Sequence, residues 1–272
     1  MDRLSLLDRL PPRGNGEENK PFLLPVTTMS SYRIAVAARK GGVGKTTIAC
    51  GIASVLASKK LRVLVIDLDP QSNAAFILGG DPTQPGTATL LSGQSPQPLA
   101  IDDYLAVLPG GPELMNHAIQ QLHPEELADA VASFTYDALV FDCPPGNEHL
   151  ERLALLAATS VLVVTDAHPL ALLGAERVLE ELMRNQQKKR KGAARWALVQ
   201  SRIDLRRTMD REFEQALAEN FPNIERLRVR QDTQLSLAGA DRTPIMTYDP
   251  KSRGATDLIA VAEWGINDQT EE

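Results

Sequence analysis

The sequence predicts an α/β fold, a doubly wound and mostly parallel β-sheet with helices on both faces, and three observations carry that expectation. Short apolar runs alternate with helical stretches along most of the chain, as in strand–helix–strand units joined by right-handed crossovers. Hydrophobic residues make up 43% of the 272 but aromatics only 4%, so the core is built of Leu, Val, Ile and Ala. That composition suits strands covered on both faces better than a β-sandwich. The polar exceptions fall at strand ends, after Ala38, at Asp67 and at Asp142, where sheets of this kind bind ligands.

Three segments follow from the chain read in order. Residues 1–30 carry Leu4, Leu7 and Leu10 on a short helical stretch, then a polar run over 11–21 rich in Pro, Gly and Asn that is expected to be unstructured. This extension reads either as a frayed terminus or as a tethered leucine-bearing peptide that docks on a partner or touches a membrane. The folded domain spans 31–266, and 267–272 is an acidic tail. Strands are expected over 33–38, 61–67, 104–108, 138–142, 161–165 and 197–201. Helices are expected over 46–59, 124–134, 148–158, 170–187 and 209–219.

Charge and cysteine usage narrow the function classes. A formal charge of −6 excludes a chain that grips nucleic acid over its whole surface, so DNA binding requires a local patch. Cys50 and Cys143 are far apart and no CxxC occurs, which argues against a zinc or iron–sulfur site held by one chain. Asp2, Arg3, Asp8 and Arg9 interrupt the first leucines, so no secretory leader is read. The most apolar stretch, 153–165, is too short to span a bilayer. The expectation is a soluble, cytoplasmic protein.

The chemistry concentrates between the first strand and the first helix. Gly44-Lys45-Thr46 matches the second half of the phosphate-loop pattern G-x-x-x-x-G-K-[ST], while Arg39 stands at the first glycine position. Lys40, Gly41 and Gly42 follow it instead. Glycines at 41, 42 and 44, with Val43 between, let backbone N–H groups converge on phosphate, and the following helix adds its positive end. Lys45 is placed for the β- and γ-phosphates, and the hydroxyl of Thr46 for Mg²⁺, with Thr47 completing the run. ATP and Mg²⁺ are the cofactors expected.

The run from Lys40 to Thr47 resembles the deviant Walker A motif of the ParA/MinD family of ATPases. Asp67-Leu68-Asp69-Pro70-Gln71 is similar to the next motif of the ParA branch. Tyr136 to Pro145 resembles the Walker B strand, and Tyr248 to Ala255 the tail motif of ParA partition proteins. The resemblance implies that Lys40 contacts the nucleotide of the opposite subunit in an ATP-sandwiched homodimer. It also implies that Asp69 orients or activates the attacking water, and that Asp67 and Asp142 lie around Mg²⁺. Ser201 aligns with a position near adenine, and Pro250 and its neighbours are expected to offer backbone contacts to the base. The chain departs from the pattern at Ala38-Arg39, where ParA proteins more often carry Asn-Gln.

Basic residues gather after residue 183, in three groups: Lys188, Lys189, Arg190 and Lys191; Arg202, Arg206, Arg207 and Arg211; Arg226, Arg228 and Arg230. In ParA-type proteins such residues bind duplex DNA without sequence preference, and the resemblance implies the same here. A solvated helix end explains the lysine run taken alone. Two functions are therefore expected to compete. One is a nucleoid-associated ParA-type ATPase that segregates or positions plasmid, chromosomal or protein cargo, stimulated by a ParB-like or cargo-adaptor protein. The other is a MinD- or FlhG-like spatial regulator acting at a membrane or protein scaffold without DNA. The acidic tail opposes contact with anionic lipid.

Overall fold

Apolar runs of four to six residues become buried strands here because each is covered by helices on both faces. The computed structural model describes residues 32–267. In chain order it contains β1 (Tyr32–Ala37), α1 (Lys45–Ser58), β2 (Val63–Asp67), α2 (Asn73–Ile77), α3 (Thr87–Leu91), β3 (Leu99–Ala100), β4 (Leu105–Leu108), α4 (His117–Gln120), α5 (Glu126–Ala130) and β5 (Ala138–Asp142). The second half contains α6 (Glu148–Ala157), β6 (Ser160–Thr165), α7 (Pro169–Gln187), β7 (Arg195–Ile203), α8 (Thr208–Asn220), β8 (Glu225–Arg230), α9 (Thr233–Ala240), α10 (Ile245–Tyr248) and α11 (Arg253–Ile266). The expected extension over 1–30 lies outside the described residues, as does the tail beyond 267.

The eight strands lie in the order β3-β4-β2-β5-β1-β6-β7-β8. Every neighbouring pair is parallel except β3 with β4. The doubly wound sheet is as the sequence predicts. Alternation along β1 divides the core: Ile34 and Val36 face a layer containing α1 and α11, Ala35 and Ala37 a layer containing α6 and α7. All six expected strands form. The helix expected over 124–134 is shorter, because α5 gives way to a 3₁₀ turn over Val131–Ser133 and Phe134 turns extended.

Two strands escape the sequence reading. β3 is only two residues long. β8, Glu225–Arg230, alternates Arg226, Arg228 and Arg230 with Leu227 and Val229, and its arginines hide an edge strand as a basic run. Charged side chains on an outer strand also discourage pairing with another sheet edge.

The site is fixed by register. Val36 of β1 and Asp67 of β2 both lie beside Asp142 of β5. The loops that leave these three central strands therefore open at one end of the sheet, beside the point where the strand order reverses.

Candidate functional site

The cradle is a loop that only glycine permits. Gly42 has φ 74° and Gly44 φ 95°, a left-handed backbone that costs other residues energy. Gly44 precedes α1, and no side chain caps that helix. Its first N–H groups thus stay free for an anion, with the helix dipole behind them. The hydroxyl of Ser201, at the end of β7, donates to the carbonyl oxygen of Val43 and braces the loop from the sheet side.

The two lysines of the cradle point to different places. Lys45 is buried, and its Nζ donates to the carbonyl oxygen of Lys40 at 3.3 Å. The Lys40 side chain leaves the loop and pairs with Asp166, just beyond β6, at 3.1 and 3.3 Å. Arg202 reaches the same carboxylate at 2.6 Å.

Three carboxylates converge beside the cradle, in different states of commitment. Both oxygens of Asp67 already accept backbone N–H groups, from Asp69 at 2.8 Å and Ala74 at 2.9 Å. Asp67 therefore shapes the turn after β2, and burial and the neighbouring Asp142 push its pKa up. Asp69, held by that turn, accepts from the N–H of Gln71 at 2.9 Å. Asp142 is fully buried and neither of its oxygens has a hydrogen-bond partner. Burial pushes its pKa up to about 7, against the pull of the nearby Thr46 hydroxyl and the Lys45 ammonium. Thr46 lies near enough to lower that pKa, yet not in hydrogen-bond geometry with Asp142.

A buried carboxylate without a partner is costly unless a cation or a bound water meets it. Asp142 beside the Thr46 hydroxyl thus fits Mg²⁺, and these two residues would hold the ion there. Asp67 has less lone-pair capacity to spare. When bound, the ion would neutralise phosphate charge. The free N–H groups at the start of α1 and the Lys45 ammonium would face the phosphates of a bound nucleotide.

A cavity of about 130 Å³ adjoins the cradle. It shares Gly44 and Thr47 with the loop and is closed by Ser201, Arg202, Gln231 and Asp232. Pro250 does not line it; it sits in the turn between α10 and α11. The residues that sequence reasoning missed are Gln231, Asp232 and Thr233. Asp232 caps α9 through the N–H of Gln234 and also holds the N–H of Gly254, at 3.0 and 2.7 Å. An Asp-Thr pair after a strand is the one local signal that marked this helix start.

Arg39, the departure from the general pattern, is bound by three glutamates. It donates to Glu151 at 3.1 Å and Glu181 at 2.7 Å, and also to Glu148. Arg152 joins Glu181 at 2.6 Å. The cradle is thereby tied to α6 and α7.

The basic groups do not form one surface. α7 starts beside the cradle, with His168 as its cap, and runs 19 residues, about 28 Å, toward the other end of the sheet. Lys188, Lys189 and Arg190 follow its far end, whereas Arg202, Arg206 and Arg207 lie at the nucleotide end. The arginines are also paired: Arg202 with Asp166, Arg206 and Arg207 with Asp204, Arg228 with Glu214, Arg230 with Asp257.

A glycine-rich loop between β1 and α1, with carboxylates at the ends of β2 and β5, defines a P-loop NTPase. A family model described as an AAA domain matches residues 31–195. The chromosome partitioning protein ParA of Myxococcus xanthus is 30% identical over 241 residues, which cover 84% of this chain and 85% of that one. Cobyrinic acid a,c-diamide synthase from Mycobacterium smegmatis, with bound ATP analogue and magnesium, superposes with TM-score 0.72 at 26% identity, covering 86% and 93%. Apo McdA from Cyanothece gives TM-score 0.77 at 18% identity, covering 87% and 100%. The chain belongs to the ParA/MinD-type family of P-loop ATPases. Among the described residues no helix is long and apolar enough to cross a membrane.

Proposed function

We propose that this chain is a ParA-type switch that binds Mg–ATP, dimerises around it and hydrolyses it slowly to segregate or position a cargo. The observation that carries the reading is the division of labour between the lysines. Lys45 lies buried over its own cradle, while the side chain of Lys40 leaves the loop and is 26% exposed. A cation turned away from its own phosphates can serve a neighbour's once it leaves Asp166, and charge donated across an interface makes association depend on ATP. Asp69 directs the attacking water in this scheme, and the cavity closed by Gln231 and Asp232 takes the base.

Non-specific duplex DNA is the proposed track, and a ParB-like or cargo-adaptor protein the proposed stimulator, in a cytoplasmic, nucleoid-associated setting. Dimerisation doubles the basic residues presented to one duplex and so multiplies a weak phosphate affinity. The test combines light scattering with phosphate release. Asp69→Ala is expected to bind ATP, release almost no phosphate and persist as a dimer. A fully active Asp69→Ala chain would sink the assignment, and retention on liposomes in place of DNA would overturn the DNA track.

A further inference from the structure

We propose that Asp166 parks Lys40 within its own subunit, and that its release is what admits a second copy of this chain. The inference rests on the reading that Lys40 acts across a dimer, and it adds a cis contact that opposes that action. Lys40 binds both oxygens of Asp166, at 3.1 and 3.3 Å. The Asp166 side chain is only 12% exposed, so the ion pair is less screened than a surface one. While it holds, the ammonium faces the end of β6 and is not free for another subunit.

Arg202 makes the latch reversible. A buried carboxylate stripped of its only partner would hold the lysine tightly, because an unpaired charge is costly. Here Arg202 stays on Asp166 at 2.6 Å when Lys40 leaves, so no orphan charge results. The position is built for this. Arg202 has φ 56°, left-handed for a residue with a side chain, and interrupts the β7–β8 ladder between Ser201 and Ile203. Such bulges re-aim a side chain at a site.

Both ends of the latch touch the nucleotide site. The Lys40 carbonyl accepts from Lys45, whose ammonium phosphates would attract away. Arg202 lines the cavity beside the cradle, so a ligand there meets the second partner of Asp166. Nucleotide binding therefore loosens the parked lysine from two sides without ending the competition, so Asp166 still holds part of the nucleotide-bound population. The competent fraction enters the association constant once for each copy.

Sedimentation velocity on the full chain, with Mg²⁺ and a saturating non-hydrolysable ATP analogue, tests this. Asp166→Asn keeps the shape and removes the charge. The dimer dissociation constant is expected to fall about fivefold per latch, about 25-fold for the pair. Arg202→Gln leaves Lys40 as the sole partner of Asp166 and is expected to raise it. If Asp166→Asn dimerises no more tightly than wild type, or Arg202→Gln dimerises more tightly, the latch is wrong. The Lys40→Ala chain separates the two levels. If it dimerises like wild type, or if wild type stays monomeric, the reading of Lys40 as a cross-subunit group fails and the latch fails with it.

Discussion

Arg39 stands where the general phosphate-loop pattern has its first glycine, and its guanidinium is met by carboxylates from two helices. Ion pairs this deep gain little net stability, because desolvation offsets the attraction. Glu151 shows the cost. Burial pushes its pKa up to about 7, with Arg39 pulling down and Glu181 pushing up. The folded value lies above the unfolded one, so the stability this group contributes is full below about pH 4.5 and lost as pH rises through 7. Glu151→Gln has no such loss. Urea unfolding of both chains is expected to show the variant gaining about 3 kcal/mol on wild type between pH 4.5 and 8. A difference independent of pH would mean that folding leaves the Glu151 pKa unshifted. Residues whose roles are set by neighbours in sequence, Gly42, Gly44, Lys45 and Thr46, were legible without a structure. Glu151 was not, since its partner Arg39 is 112 residues away.

Strands and the turns that leave them carry the three carboxylates beside the cradle. The turn after β2 is locked by Asp67 and pressed from the other side by Gly110, which follows β4. A Cβ on Gly110 would lie 2.0 Å from the backbone oxygen of Asp69 and 3.3 Å from an oxygen of Asp67. Gly110→Ala must therefore move the backbone of Asp69. The expected cost is about 1–3 kcal/mol of stability, with hydrolysis falling more than ATP affinity, because the cradle lies on another loop. Equal loss of both, read by phosphate release and nucleotide titration, would show that the turn and the cradle move as one. Central strands were visible in the sequence because burial on both faces leaves an unbroken apolar run. β8 was not, because an edge strand exposes one side, and its arginines outweighed Leu227 and Val229 in the pattern. The cavity beside the cradle escaped for a related reason. It is assembled from the ends of β7 and β8, about thirty residues apart in the chain, so no short motif announces it, and the Asp232-Thr233 pair signals only a helix start.

At the scale of the whole molecule, a formal charge of −6 leaves the proposed DNA affinity to whichever cations are uncompensated. At the nucleotide end Arg206 and Arg207 share Asp204, and Arg228 and Arg230 each have a carboxylate of their own. A phosphate approaching them must compete with an intramolecular partner already in place. Lys188, Lys189, Arg190 and Lys191 are exposed and make no ion pair among the described residues. A run of free cations adds its full charge to phosphate binding, and each phosphate neutralised contributes about 0.9 to the salt slope. The lysine run, unpersuasive in the sequence as a lone charge cluster, thus becomes the stronger DNA candidate once the arginines are seen paired. Replacing Lys188, Lys189 and Arg190 by Gln is expected to lower the slope of log affinity against log salt by about 3 per subunit in the ATP state. Arg206→Gln with Arg207→Gln is expected to lower it by about 1, since one of those charges is already spent on Asp204. ATP turnover without DNA should be unchanged in the first variant, whose substitutions lie a helix length from the cradle. Equal slopes in wild type and the triple variant, measured by fluorescence anisotropy on random duplex, would return the DNA surface to the arginines of β7 and β8.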